Sequence, residues 1–199
     1  MSATRLLVLG VVRVHRSAHG YLVRSELVGW GADEWANVKW GSIYHALRRL
    51  ATEGLLTGTD SPESPGRTDY AITADGDAEF LRLLRGALTD TGPRRDLLSA
   101  GLAFLTALPR AEAIELLSRR LAALEAGRAE VEAAVGTPGS PGLPLHVNEL
   151  FKLWVADIAG GIAWTRELIE SLRAGEYVMA DDSDTAYGLP GSAHTSGRL

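Results

Sequence analysis

Between residues 41 and 73 the hydrophobic period of the chain changes from helical to alternating, and few folds accommodate that change in so short a span. Ile43, Ala46, Leu47 and Leu50 fall at i, i+3, i+4 and i+7, which predicts an amphipathic helix over 41–50 with one buried stripe. Gly54 supplies its stop. Residues 55–59 then have the β-branched alternation of a strand, 60–66 are dense in turn formers, and 67–73, with Tyr70 and Ile72 alternating, predict the returning strand. Thr73 is placed to cap a further helix over 74–88 that turns Ala78, Leu81, Leu84 and Leu88 inward.

Upstream, Thr4 opens an apolar helix over about 4–15 that carries Leu6, Leu7, Leu9, Val11, Val12 and Val14. After a break at 16–19, Ser17 can cap a second helix in which Tyr21, Leu22, Ser25, Leu27 and Val28 share a face, with Gly29 as its stop. Residues 30–40, with Trp30, Trp35 and Trp40, read as loop. Three helices, a hairpin and another helix make a mostly α chain with a small β-hairpin wing, the pattern of a winged helix-turn-helix whose third helix enters the major groove. A winged domain over 1–90 follows.

The other half reads as a helical dimerisation domain over 94–178. An apolar helix spans about 95–108, and 110–135 sets Ile114, Leu117, Leu121, Leu124, Val131 and Val135 in a coiled-coil-like seam. Residues 136–144, with three prolines and three glycines, are a linker. A final helix over 147–174 turns Leu150, Phe151, Trp154, Ile158, Ile162, Leu168 and Leu172 inward. The acidic and Gly/Ser/Pro-rich residues 179–199 predict a disordered tail.

The absence of cysteine from 199 residues excludes disulfides, thiolate metal sites and cysteine nucleophiles. No apolar run is long enough to span a membrane, and the N-terminus has no secretory profile, so a cytoplasmic protein is expected. A net charge of −5 speaks against a polyanionic partner until its distribution is considered. Residues 1–50 hold seven Lys/Arg and three acids, a local +4, and screening over about 8–10 Å hides the distant negative charge. There is no G-x-S-x-G, P-loop or dinucleotide fingerprint, so neither enzyme nor cofactor is expected. His15 and His19 have metal-pair spacing, but no Glu completes a zincin pattern and the helix break separates them, so no metal site is expected.

Residues 41–56, Gly-Ser-Ile-Tyr-His-Ala-Leu-Arg-Arg-Leu-Ala-Thr-Glu-Gly-Leu-Leu, resemble the PadR family of transcriptional regulators. His19-Gly20-Tyr21, the leucine-rich opening helix, and the wing Gly66-Arg67-Thr68-Asp69-Tyr70-Ala71-Ile72-Thr73 followed by Gly76 are similar to that family as well. The resemblance covers about 4–88 and implies a dimeric repressor on near-palindromic double-stranded DNA, often released by a small molecule. Asp69 departs from the pattern, since relatives often carry a basic residue there; Lys39, before helix three, offers a compensating charge.

The expected DNA-contacting residues are Lys39, Ser42, Tyr44, His45, Arg48, Arg49 and Arg67. Arg offers guanine a bidentate fork, so Arg49 and His45 are the expected base readers and Arg67 the phosphate contact. Phe151 and Trp154 are the first candidates for a pocket between the two halves, holding a planar aromatic or apolar effector. The rival reading is a winged-helix protein that sequesters a small molecule and does not bind DNA.

Overall fold

The computed structural model describes residues 2–61, 66–93, 95–135 and 145–195. The linker expected at 136–144, most of the hairpin tip and the Val135 side chain of the predicted seam lie outside the described residues. Helix α1 (Ala3–His15) starts one turn-position before Thr4, with Ser2 as its N-cap. Leu6 to Val14 are buried on every face, so α1 is a central helix without a solvent stripe. Gly10 is needed there, because a Cβ at that position would fall inside the ring of Phe104.

Strand β1 (Ser17–His19) stands where a helix cap was expected. It pairs antiparallel with β3 (Thr68–Ile72), which also pairs with β2 (Leu56–Asp60), giving a three-stranded sheet in the order β1-β3-β2. Tyr70 is the register point, facing Ala18 on one side and Gly58 on the other. Ser17 is thus committed to the sheet, and His19 caps α2 (Gly20–Gly29) by accepting the Leu22 N–H at Nδ1. The inner face of α2 carries Gly20, Val23 and Leu27, while Tyr21 and Val28 are exposed, a rotation from the expected face. The segment read as loop contains a one-turn helix, α3 (Ala32–Trp35), so the helix expected to enter the major groove is the fourth in chain order.

That helix, α4 (Trp40–Thr52), buries Ile43, Leu47 and Leu50 along the expected stripe, each worth about 1.5–3 kcal/mol of apolar burial. Gly54, at φ +75, ends it: its N–H reaches the Ala51 carbonyl and that of Leu55 reaches the Leu50 carbonyl, the two bonds of a Schellman motif. Thr73 caps α5 (Ala74–Thr89), its hydroxyl oxygen accepting the Gly76 N–H at 3.0 Å. Phe80, Leu83, Leu84, Ala87 and Leu88 form the inner face of α5; Ala78, expected there, is exposed. The predicted helix over 95–108 divides into α6 (Arg95–Leu102) and a 3-10 turn at Leu105–Ala107.

Helix α7 (Arg110–Val135) begins in this unit, which comprises the chain up to Ala113 together with the segment from Val178 on. The expected boundary at 90–94 therefore falls inside a compact unit. The segment expected to be a disordered tail folds back on it through residue 195. Met179 and Ala186 are buried, and Tyr187 stacks on Phe104 at 6.2 Å. The buried Arg13 of α1 pairs with Asp77 at 2.5 Å and donates to the Gly188 carbonyl. A long-range aromatic and arginine contact overrides the local composition; residues 196–199 of the expected tail lie outside the described residues.

The second unit, Ile114–Tyr177, contains most of α7 and all of α8 (Asn148–Arg173). Within it, Leu124 rests on Gly161 and Arg166 pairs with Glu125 at 2.5 Å. Leu117 and Leu124 are buried, as are Ile162, Thr165, Ile169 and Leu172. The N-terminal half of α8 differs from the expected inward stripe, because Leu150 and Trp154 are about half exposed, as is Leu153. No described helix is long and apolar enough to cross a membrane.

Candidate nucleic-acid interface

The buried stripe of α4 decides what its outer face presents. With Ile43, Leu47 and Leu50 inward, Tyr44, His45, Arg48 and Arg49 are exposed, as is Lys39 at the N-cap. Tyr44 has a second role. Its ring lies where a Gly20 side chain would be, so the glycine of His19-Gly20-Tyr21 seats α4 against the start of α2. The phenol is 41% exposed, so it still faces solvent on one side.

Ser42 is turned inward on its own backbone, donating its hydroxyl to the Lys39 carbonyl, and only half exposed. Of the expected contacts it is the one already engaged in shaping the helix start. Beside that start, the Arg24 guanidinium of α2 lies over the ring of Trp40. This cation–π pair adds a basic group to the same end of α4. Sequence reading missed it, since no local periodicity links two residues on different helices.

Both terminal arginines of the expected interface have carboxylate partners. Arg49 pairs with Glu53 at 2.9 Å, one turn along α4, and Glu53 is also held by Arg5 of α1 at 2.6 Å. Those hydrogen bonds, from Arg5 first and then Arg49, hold the Glu53 carboxyl below its usual range. Arg5 continues to Glu79 at 3.2 Å and Glu79 to Arg82 at 2.6 Å, so alternating charges run from α4 through α1 to α5. On the wing, Arg67 binds Asp69 at 2.9 and 3.1 Å through two nitrogens. Arg48 remains an exposed cation of the helix with no carboxylate partner among the described residues.

The ligand candidates Phe151 and Trp154 meet edge to face at 5.3 Å on α8, within the second unit. Trp154 is 47% exposed. No cluster of His, Asp and Glu among the described residues has the makings of a metal site.

A three-stranded sheet whose hairpin follows a helix with an exposed basic face, on a bed of helices, defines a winged helix-turn-helix. Residues 8–82 match the transcriptional regulator PadR-like family, and the chain carries a domain of that family over those residues. Among solved structures it is similar to *Bacillus subtilis* PadR in complex with operator DNA, at 19% identity and a TM-score of 0.36 over 84% of this chain and 98% of that one. The PadR-like regulator BC1756 from *Bacillus cereus* is 20% identical, with a TM-score of 0.37 over 86% and 99% of the two chains. The protein smu.1604c from *Streptococcus mutans* UA159 is 19% identical, with a TM-score of 0.37 over 85% and 99%. No curated protein matches the chain.

Proposed function

We propose that the protein is a sequence-specific DNA-binding repressor that works as a homodimer and is released by a small-molecule effector. The observation that carries this reading is the outer face of α4, where Tyr44, His45, Arg48 and Arg49 stand exposed over the buried Ile43–Leu47–Leu50 stripe. Arg49 and His45 suit base edges in the major groove, while Lys39, Ser42, Tyr44, Arg48 and Arg67 suit phosphates. In a dimer the two copies of α4 would enter successive major grooves about 34–36 Å apart, which asks for a near-palindromic operator. Exposed Leu150, Leu153 and Trp154 on α8 support a self-association surface. The Phe151–Trp154 pair is the candidate platform for a planar effector.

The second reading, a ligand-sequestering protein that does not bind DNA, is favoured by the carboxylates that engage Arg49 and Arg67. Fluorescence anisotropy on labelled DNA from upstream of the coding sequence, against scrambled DNA at two salt concentrations, separates the two. Sequence-selective binding that falls steeply with salt supports the repressor. Weak binding equal on both DNAs, with no site recovered in a genome-fragment selection, supports sequestration.

A further inference from the structure

The winged unit contains a cavity of about 480 Å³ that lies apart from the outer face of α4. Its lining includes His15 at the end of α1, Glu26 of α2, Trp30, Trp35 and, from the C-terminal segment, Tyr187 and Ala193. Cavities of roughly 300–1,000 Å³ are the usual size for small-molecule sites. Three of the lining residues are aromatic, and their positions are fixed by contacts of their own. The Trp35 indole N–H donates to the Trp30 carbonyl at 2.8 Å. Trp30 meets Tyr187 edge to face at 6.2 Å, and both pack on Phe104. Binding a ligand would therefore require little ordering of the walls.

The charges select the ligand. Among the described residues of the lining Glu26 is the only acidic one and none is Lys or Arg, and the neighbouring His15 lies with Nε2 at 3.4 Å from the carboxylate. Burial, and then the charge of Glu26, push the Tyr187 hydroxyl far above its usual range, so the carboxylate acts at the aromatic wall and the phenol stays neutral. An anion entering this space would meet Glu26 with no counter-charge from a Lys or Arg among the described lining residues. A cation would find a carboxylate and three ring quadrupoles.

We propose that this cavity is a binding site for an aromatic organic cation, a protonated or quaternary ammonium carried on a flat ring, held between Trp30, Trp35, Tyr187 and the Glu26 carboxylate. It is distinct from the Phe151–Trp154 pair of the second unit. Because Tyr187 and Ala193 belong to the segment that folds back on α1, the site exists only while that segment is docked, and an occupant strengthens the docking. Any effect on DNA rests on the repressor reading.

The test is calorimetric titration of the full-length protein, without DNA, using benzyltrimethylammonium, with benzyl alcohol and benzoate as uncharged and anionic counterparts at equal ionic strength. The expected result is saturable binding of one benzyltrimethylammonium per chain, at least tenfold weaker binding of benzyl alcohol, and none of benzoate. Glu26→Gln and Trp35→Leu should each weaken the cation at least tenfold. Absence of saturable binding, equal binding of benzoate, or an affinity unmoved by both Glu26→Gln and Trp35→Leu would overturn the proposal. Should one of those two variants fail to fold by circular dichroism, the other, with the cation–anion comparison, decides. Failure here leaves operator binding untouched, and failure of operator binding leaves this result standing.

Discussion

Arg67 spends two of its guanidinium nitrogens on one oxygen of Asp69, two residues along the same wing. The pair is exposed, so its intrinsic strength is small, but under the proposed function it sets a negative charge beside the arginine expected to meet phosphate. Asp69→Asn should free Arg67 and remove that charge. Affinity should rise on operator and scrambled DNA alike, and the slope of log K against log salt should steepen by about one unit, the signature of an added phosphate contact. Anisotropy across a salt series measures both. An unchanged slope would mean that the wing does not reach the backbone.

Arg49 and Arg67 should separate by the kind of loss they cause. Arg49→Ala should cost about 1–3 kcal/mol on the operator and relax base preference, whereas Arg67→Ala should weaken all sequences equally. Glu53 complicates Arg49 usefully: Glu53→Gln should release that guanidinium and strengthen binding to the operator more than to scrambled DNA. Competition with single-base operator variants reads both effects. Operator binding by Arg49→Ala as tight as that of the unaltered protein would remove α4 from the groove.

Glycines give a test of the packing that is independent of DNA. At Gly76 an added Cβ would meet the Leu55 backbone carbonyl, which cannot swing away as a side chain can. Gly76→Ala should therefore destabilise the protein by about 1–3 kcal/mol in urea unfolding. Gly127, inside α7, has nothing within 4 Å of such a Cβ, and Gly127→Ala should stabilise the helix by up to about 1 kcal/mol. Opposite signs from one chemical change are the expected outcome.

Acid should loosen the C-terminal segment. Asp182 accepts the Met179 N–H and pairs with Arg110, and the backbone bond, then the arginine, hold its carboxyl below the ordinary value of 3.8. Glu79 is held below 4.5, chiefly by Arg82, and Glu53 by Arg5 and Arg49. Folded-state values lowered in this way contribute stability that is fully present above the unfolded values and lost as pH falls through the folded ones. Thermal midpoints should hold level from pH 7 to about 5 and drop below about 4. Asp182→Asn should soften that drop.

The elements legible in the sequence are those whose determinants are local. The α4 stripe, the Gly54 stop, the two hairpin strands and the Thr73 cap each depend on residues within one or two turns of each other. Helix α3 is one turn long, too short to display a period, and β1 exists because the β3 edge is available to residues 17–19 rather than because of its own side chains. The inner face of α2 departs from its period because Tyr44 lies across Gly20, which admits the glycine to the inner side and turns Tyr21 out. At the interface, residue types were readable but their partners were not: Glu53 links two arginines across 48 positions of chain from Arg5. The cavity was the least legible feature, since its walls come from α1, α2, α3 and a segment more than 150 residues downstream of α2.

The return of residues 178–195 to the first unit makes the intervening chain a ring. The Ala180 N–H donates to the Leu108 carbonyl at 3.2 Å, and Arg110 pairs with Asp182, so the strands of chain leaving and re-entering the unit are tied together at their base. Everything between is, topologically, an insertion in a loop already closed. Closure entropy grows only with the logarithm of length, about 0.6 kcal/mol for each doubling, so the two long helices are free to lengthen or shorten by whole turns at little cost to the winged unit. A gene for such a protein can change what the insertion meets while leaving the packing of the winged unit untouched.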